Sequence, residues 1–180
     1  MVVLREFVAV LPQYDYLYLG DNARIPYGTR SDRVVIRFTE QAVDFLFRQG
    51  CQLIILACHT ASAKALRTIQ QVYLPDRYPD RRVLGVLIPT VEEALAGSPQ
   101  KRIGVIGTEG TVTSRSFEME LHKLDPEILV FQQACPLLVP LIEEGEQDWE
   151  GTAMILERYL APLKQAGVDT ILFSKTESAR

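Results

Sequence analysis

Six short stretches concentrate Val, Ile and Leu along the chain: 14–20 (YDYLYLG), 51–58 (CQLIILAC), 82–89 (RVLGVLIP), 101–108 (KRIGVIGT), 127–135 (EILVFQQAC) and 168–174 (VDTILFS). Their apolar residues run on rather than alternate with polar ones, as in strands covered on both faces. Longer segments with helical spacing separate most of them. Residues 31–50 place Val35, Phe38, Ala42, Phe45 and Leu46 on one stripe, with Ser31 or Asp32 to cap the start and Gly50 to end it. Residues 149–167 form a second such segment, ending at Gly167, in which Pro162 predicts a kink or break. Strand and helix in alternation predict an α/β fold with a mainly parallel sheet. A boundary is expected near the small, polar run at 94–102, dividing the chain into units 1–95 and 96–180.

Sheets of this kind bind ligands beyond the carboxyl ends of their strands, which directs attention to the residues found there. These are Gly20-Asp21-Asn22, Cys58-His59-Thr60, Pro89-Thr90, Gly107-Thr108 and Ala134-Cys135-Pro136. A thiol between a strand and a helix, as expected for Cys58, meets unpaired backbone N–H groups that favour the thiolate, the form that attacks or accepts protons. It also suits a small core site, as free cysteines often do. The polar pair His59-Thr60 directly after it favours a ligand site. Thr108, Thr111, Thr113 and Ser114 bring hydroxyls to a helix entry, where they suit a carboxylate or phosphate and serve equally as caps. Gly104, Gly107 and Gly110 do not have the spacing of a dinucleotide-binding turn. The loop 20–31 has a turn set by Pro26 and Gly28 around Tyr27, either a surface loop or one whose backbone approaches a ligand. Glu143 and Glu144 follow an apolar run with two prolines, at a solvated or cleft-facing position.

Composition narrows the partners. The 180 residues carry a formal net charge of -4, so there is no electrostatic case for nucleic acid or an anionic membrane. No apolar run is long enough to cross a bilayer, and the first residues do not read as a signal peptide. The 3 cysteines, Cys51, Cys58 and Cys135, are widely spaced and odd in number, which fits a reducing cytosol better than a disulfide framework. Their spacing gives no metal-finger pattern, His122 reads as part of a solvated helix face, Cys51 as structural, and Cys135 stays open.

The four segments GDNARIPYGTRS (20–31), ACHTASA (57–63), IGVIGTEGTVTS (103–114) and ACPLLVPLIEEG (134–145) resemble, in order and spacing, the glutamate racemases of the wider aspartate/glutamate racemase group. The resemblance extends over almost the whole chain, and the opening VLREFVAVLP (3–12) is similar to the helix after that family's first strand. It implies a two-domain, open parallel-sheet fold with the site in the cleft between the domains. It implies cofactor-independent interconversion of L- and D-glutamate for peptidoglycan synthesis, in the cytoplasm. Inversion needs a proton to leave one face of the α-carbon and return on the other, so two thiols work from opposite sides. By this resemblance Cys58 is one catalytic base. Tyr27, Gly28, Thr60, Thr108 and Thr111 bind substrate, His59 stands in place of an asparagine that does so, and Glu143 corresponds to an acidic residue near the second catalytic side.

The chain departs from the family at both ends. The family's first strand with its Asp-Ser-Gly loop is not in the sequence. The family's second cysteine and assisting histidine fall by register on Lys175 and Glu177. The expectation is therefore a racemase shortened at both ends, with an incomplete first domain, exposed strand edges that pair with another copy, and impaired catalysis. Two alternatives stand beside it: a non-catalytic remnant binding an amino acid or a partner, and a related racemase whose substrate is altered through His59.

Overall fold

The computed structural model describes residues 2–174. In chain order its labelled elements are α1 (Val2–Val10), α2 (Asp32–Arg48), β1 (Leu53–Leu56), α3 (His59–Lys64), α4 (Leu66–Thr68), α5 (Leu74–Arg77), β2 (Arg82–Gly85), α6 (Leu87–Ala96), β3 (Arg102–Gly107), α7 (Glu109–Ser114), α8 (Ser116–Leu124), β4 (Leu129–Ala134), α9 (Leu138–Glu143), α10 (Glu150–Gln165) and β5 (Thr170–Phe173). The strands form two parallel sheets, β1 beside β2 and the three-stranded order β4-β3-β5. In register, Ile54 faces Val83 in the first sheet, and Ile103 lies between Val130 and Thr170 in the second.

The central strand β3 shows why its sequence is continuously apolar. Ile103 and Val105 are fully buried on one face, against Leu87 and Val91 of α6 and Phe117 and Leu121 of α8. Ile106 is buried on the other, with Leu138 of α9 and Leu163 of α10. The first sheet is covered on one face by α2, α3 and the Ile69–Tyr73 turn, whose buried residues cluster with Ile54 and Val83. On its other face Leu53 and Leu84 are about half exposed.

Four details differ from the sequence reading. Residues 14–20 are not part of a strand among the described residues, and Tyr14, Leu17 and Leu19 are exposed. Aromatic and β-apolar composition alone does not make a strand. The apolar run at 82–89 is split, because β2 ends at Gly85 and α6 starts at Leu87, so Pro89 and Thr90 lie in a helix rather than at a strand end. The buried line of α2 is Val35, Thr39, Val43 and Phe47, whereas Phe45 is exposed. Thr39 is tolerated there because its hydroxyl donates to the Val35 carbonyl at 2.8 Å. Ser31 does sit at the N-cap of α2, without a side-chain cap bond, and Gly50 beyond its end has φ 95°. α10 runs through Pro162, which lies in its last turn and removes a single ladder bond there.

Several carboxylates are held ionised by their partners. Asp44 accepts from the Tyr78 hydroxyl at 2.6 Å, and this bond lowers its pKa. The Ser98 hydroxyl, at 2.6 Å, lowers that of Asp169, and Lys101, at 2.7 Å, that of Asp125. A depressed carboxyl pKa contributes stability that is present above the unfolded value, about 4, and is lost as pH falls through the lower folded value. The melting temperature is thus expected to be flat from neutrality to about pH 5 and to fall below about pH 4. Asp44→Asn should make that fall shallower, and a thermal scan across pH checks both statements.

Candidate active site at the strand ends

β3 and β5 are paired neighbours, and α3, which follows β1, packs on α7, so residues just beyond these strands make one buried hydroxyl cluster. Thr60 of α3 lies 3.3 Å, oxygen to oxygen, from both Thr108 and Thr111, which are themselves 3.1 Å apart. Ser174, directly after β5, donates to Thr111 at 3.3 Å. All four are buried, Thr111 completely. Backbone geometry fixes the group. Thr108 is the N-cap of α7 and accepts from the Thr111 N–H at 3.2 Å, while the Ser174 N–H donates to the Ile106 carbonyl at 2.7 Å. Each hydroxyl both donates and accepts and its proton rotates freely, so the cluster can satisfy itself or turn donors toward an incoming carboxylate.

Cys58 stands at the junction of β1 and α3. It is the N-cap residue, and its Sγ accepts from the Ala61 N–H at 3.4 Å. The residue is half-buried rather than sealed in the core. The next two residues diverge. Thr60 enters the hydroxyl cluster, whereas the His59 ring tilts against Phe117 with centroids 5.4 Å apart and its Nε2 lies 3.3 Å from Thr90 Oγ1. The Thr90 hydroxyl donates to the Val86 carbonyl at 2.5 Å, so Nε2 is the donor to Thr90.

The 20–31 loop closes over the same region. Tyr27 is buried and its hydroxyl donates to Asp21 at 2.5 Å. Burial, with Asp21 beside it, pushes the phenol pKa well up, and Cys58 lies close enough to add to the shift. Tyr27 is therefore a neutral hydroxyl at physiological pH. Gly28 packs directly on Thr108, and its carbonyl accepts from the Gly110 N–H at 3.0 Å. A methyl group at Gly28 would lie 2.6 Å from Thr108 Cβ. Gly28→Ala is expected to cost about 1–3 kcal/mol by overpacking, read as a lowered melting temperature.

The structure thus gathers Tyr27, Gly28, Thr60, Thr108 and Thr111, with Cys58 beside Tyr27. Glu143 is the half-buried last residue of α9. Lys175 and Glu177 lie outside the described residues. Ser174 escaped the sequence reading because a serine at the end of an apolar strand looks like a simple terminator; its only signal was its position at a strand end.

The other two cysteines stand elsewhere. Cys135 is buried, and burial pushes its thiol pKa up to about 11, so it is a protonated core group. Cys51 packs at the edge of the first-sheet core, and its carbonyl accepts from Arg81. Among the described residues no group of three or more His, Cys, Asp or Glu is arranged to hold a metal ion.

Comparison with known proteins places the chain among racemases. The chain is 41% identical over 177 residues to a glutamate racemase of Geobacter metallireducens, covering 98% of this chain and 63% of that protein. It is 40% identical over 176 residues to one of Aquifex aeolicus, covering 98% and 66%. The chain therefore spans slightly less than two thirds of the length of these relatives. Among solved structures, a glutamate racemase isoform of Bacillus anthracis superposes with a TM-score of 0.85 at 34% identity, over 94% of this chain and 61% of that one. A Francisella tularensis glutamate racemase in complex with D-glutamate gives 0.84 at 30% identity, over 94% and 61%. The sequence profile of the Asp/Glu/Hydantoin racemases matches residues 3–178, and the chain belongs to that family.

Proposed function

We propose that the chain carries the substrate-binding groups and one of the two proton-transfer thiols of a glutamate racemase. The observation that supports this most is the half-buried Cys58 at a strand-to-helix junction beside Tyr27 and the buried hydroxyls. In this reading the Cys58 thiolate removes the α-proton of glutamate from one face, or its thiol returns a proton there. Stabilising the developing negative charge on the substrate requires donors fixed in place before the reaction. Thr60, Thr108 and Thr111 turn their hydroxyls toward the substrate carboxylates, and Tyr27 and Gly28 shape the near wall. His59, held by Thr90 and Phe117, borders the site at the start of α3. Glu143 acts on the opposite catalytic side.

The same reading makes the reaction cofactor-independent, its product D-glutamate for peptidoglycan and hence for cell shape, and its location the cytoplasm. Among the described residues no helix is long and apolar enough to cross a membrane. A division into units 1–95 and 96–180, homo-oligomerisation through strand edges, and glutamate rather than nucleic acid or lipid as the partner belong to this proposal as well.

Titration with each glutamate enantiomer, followed by two-dimensional amide NMR, tests the binding half. Saturable shifts are expected at Gly28, His59, Thr60, Thr108 and Thr111, with weaker binding of aspartate. Shifts confined to other residues would overturn the assignment, and stronger aspartate binding would favour an altered substrate.

A further inference from the structure

We propose that Lys64, a residue outside the hydroxyl cluster, is the positioning residue that clamps the Tyr27–Gly28 loop onto the site. The clamp deepens the reading above, since its effect on substrate rests on Tyr27 and Gly28 contacting glutamate. Lys64 ends α3, the helix that begins at His59 and brings Thr60 to the cluster. Thr60 and Lys64 are four residues apart and so lie on the same side of that helix. The Lys64 side chain is only 7% exposed. A cation so covered needs partners, and it has two. Its Nζ donates to the Arg30 carbonyl at 2.7 Å and pairs with the Asp32 carboxylate at 3.1 Å. Asp32 is 69% exposed, so water weakens that pair, and the shorter bond to the Arg30 carbonyl, an acceptor fixed in the backbone, is the one that holds the turn.

The route of the side chain shows what it holds. Lys64 passes over Gly110 so closely that a Cβ there would lie 2.7 Å from Cε and 2.8 Å from Nζ. The same Cβ would run into the Gly28 carbonyl, to which the Gly110 N–H donates. The Arg30 N–H donates to the Tyr27 carbonyl at 3.1 Å, closing the turn between the two anchor points. The turn is thus fixed at Gly28 by α7 and at Arg30 by Lys64, with Gly28 resting on Thr108. Lys64 takes no part in proton transfer. Its role is to keep the near wall of the site in place before substrate arrives, which favours binding by lowering the ordering cost on association.

The test compares Lys64→Met, Lys64→Arg and Asp32→Asn in the full chain by amide hydrogen exchange, glutamate affinity and α-proton exchange at saturating glutamate. Loss of a charge-assisted bond predicts about tenfold faster exchange at the Gly110 and Arg30 amides in Lys64→Met, and about tenfold weaker glutamate binding. The rate at saturation should stay unchanged. Lys64→Arg should recover most of both losses, and Asp32→Asn should stay near wild type. Unchanged Gly110 and Arg30 amides in Lys64→Met would overturn the clamp, as would an equal rise at Val105 in β3, which would mean general loosening. If Lys64→Met does not fold, Lys64→Gln, which keeps one donor for the Arg30 carbonyl, takes the same measurements with an intermediate loss expected. If the wild-type chain binds no glutamate, the proposed function falls while the loop amides still decide the clamp.

Discussion

Replacing Cys58 with alanine is expected to lower α-proton exchange from bound glutamate by about 10²- to 10⁴-fold, the usual worth of one acid–base group. The fold should survive. Cys58 is half-buried at the margin of the first-sheet core, and its Sγ accepts the cap bond from the Ala61 N–H. Losing such a cap costs about 1 kcal/mol, a small part of the stability of a domain. Cys58→Ser separates the two roles. Its hydroxyl keeps an acceptor for Ala61, so the cap remains, but an alcohol does not ionise near neutral pH. Serine should therefore restore the melting temperature without restoring exchange. Exchange monitored by loss of the α-proton signal in heavy water, with thermal melts of both variants, checks this. Cys51→Ala and Cys135→Ala should leave exchange in place, since neither residue belongs to the cluster at the strand ends.

The second large effect is structural and sits behind the site. Phe117 is fully buried at the start of α8, among Ile103 and Val105 of β3, Leu87 and Val91 of α6 and Leu121. Its ring also backs His59. Phe117→Ala should cost about 3–5 kcal/mol, the lost transfer energy plus the cavity left behind. For a chain of this size that lowers the melting temperature by on the order of 10 °C. The loss should also release the His59 ring from one of its supports. Calorimetry gives the first result, and amide shifts at His59 and Thr90 in the variant give the second. A melting temperature within a degree or two of wild type would show that the core collapses around the missing ring.

How much of this was legible beforehand depends on whether local pattern or a distant partner decides each feature. β3 was visible because a strand buried on both faces has to be continuously apolar, and Ile103 and Val105 need no partner's identity to be recognised; β1 and β5 have equally apolar sequences although Leu53, Ile171 and Phe173 leave one face about half exposed. Residues 14–20 had the same composition and form no strand among the described residues, because composition alone does not decide where a sheet extends. Thr39 is not in the apolar stripe read for α2, yet a helix supplies an acceptor four residues back, so threonine there is half an apolar residue. At the site, Cys58, Thr60 and Thr108 were candidates from strand ends and Thr111 from a helix entry, and the family resemblance singled them out. Their convergence was not in the pattern, since Thr60 and Thr111 are brought within 3.3 Å by the packing of α3 on α7. Lys64 was invisible for the same reason. A lysine in a helix is ordinarily solvated, and only the meeting of Gly28, Arg30 and Gly110 around it reveals a buried cation.

The most direct measurement of the central claim is deuterium incorporation at the α-carbon of each glutamate enantiomer, presented separately to the wild-type chain and to Cys58→Ser at saturating concentration. The account predicts uptake into at least one enantiomer by the wild type and about 100-fold or greater loss of that uptake in Cys58→Ser. Equal uptake by the two proteins, or no uptake into either enantiomer when binding at Gly28, Thr60 and Thr111 is observed, would contradict the assignment of Cys58 as the base.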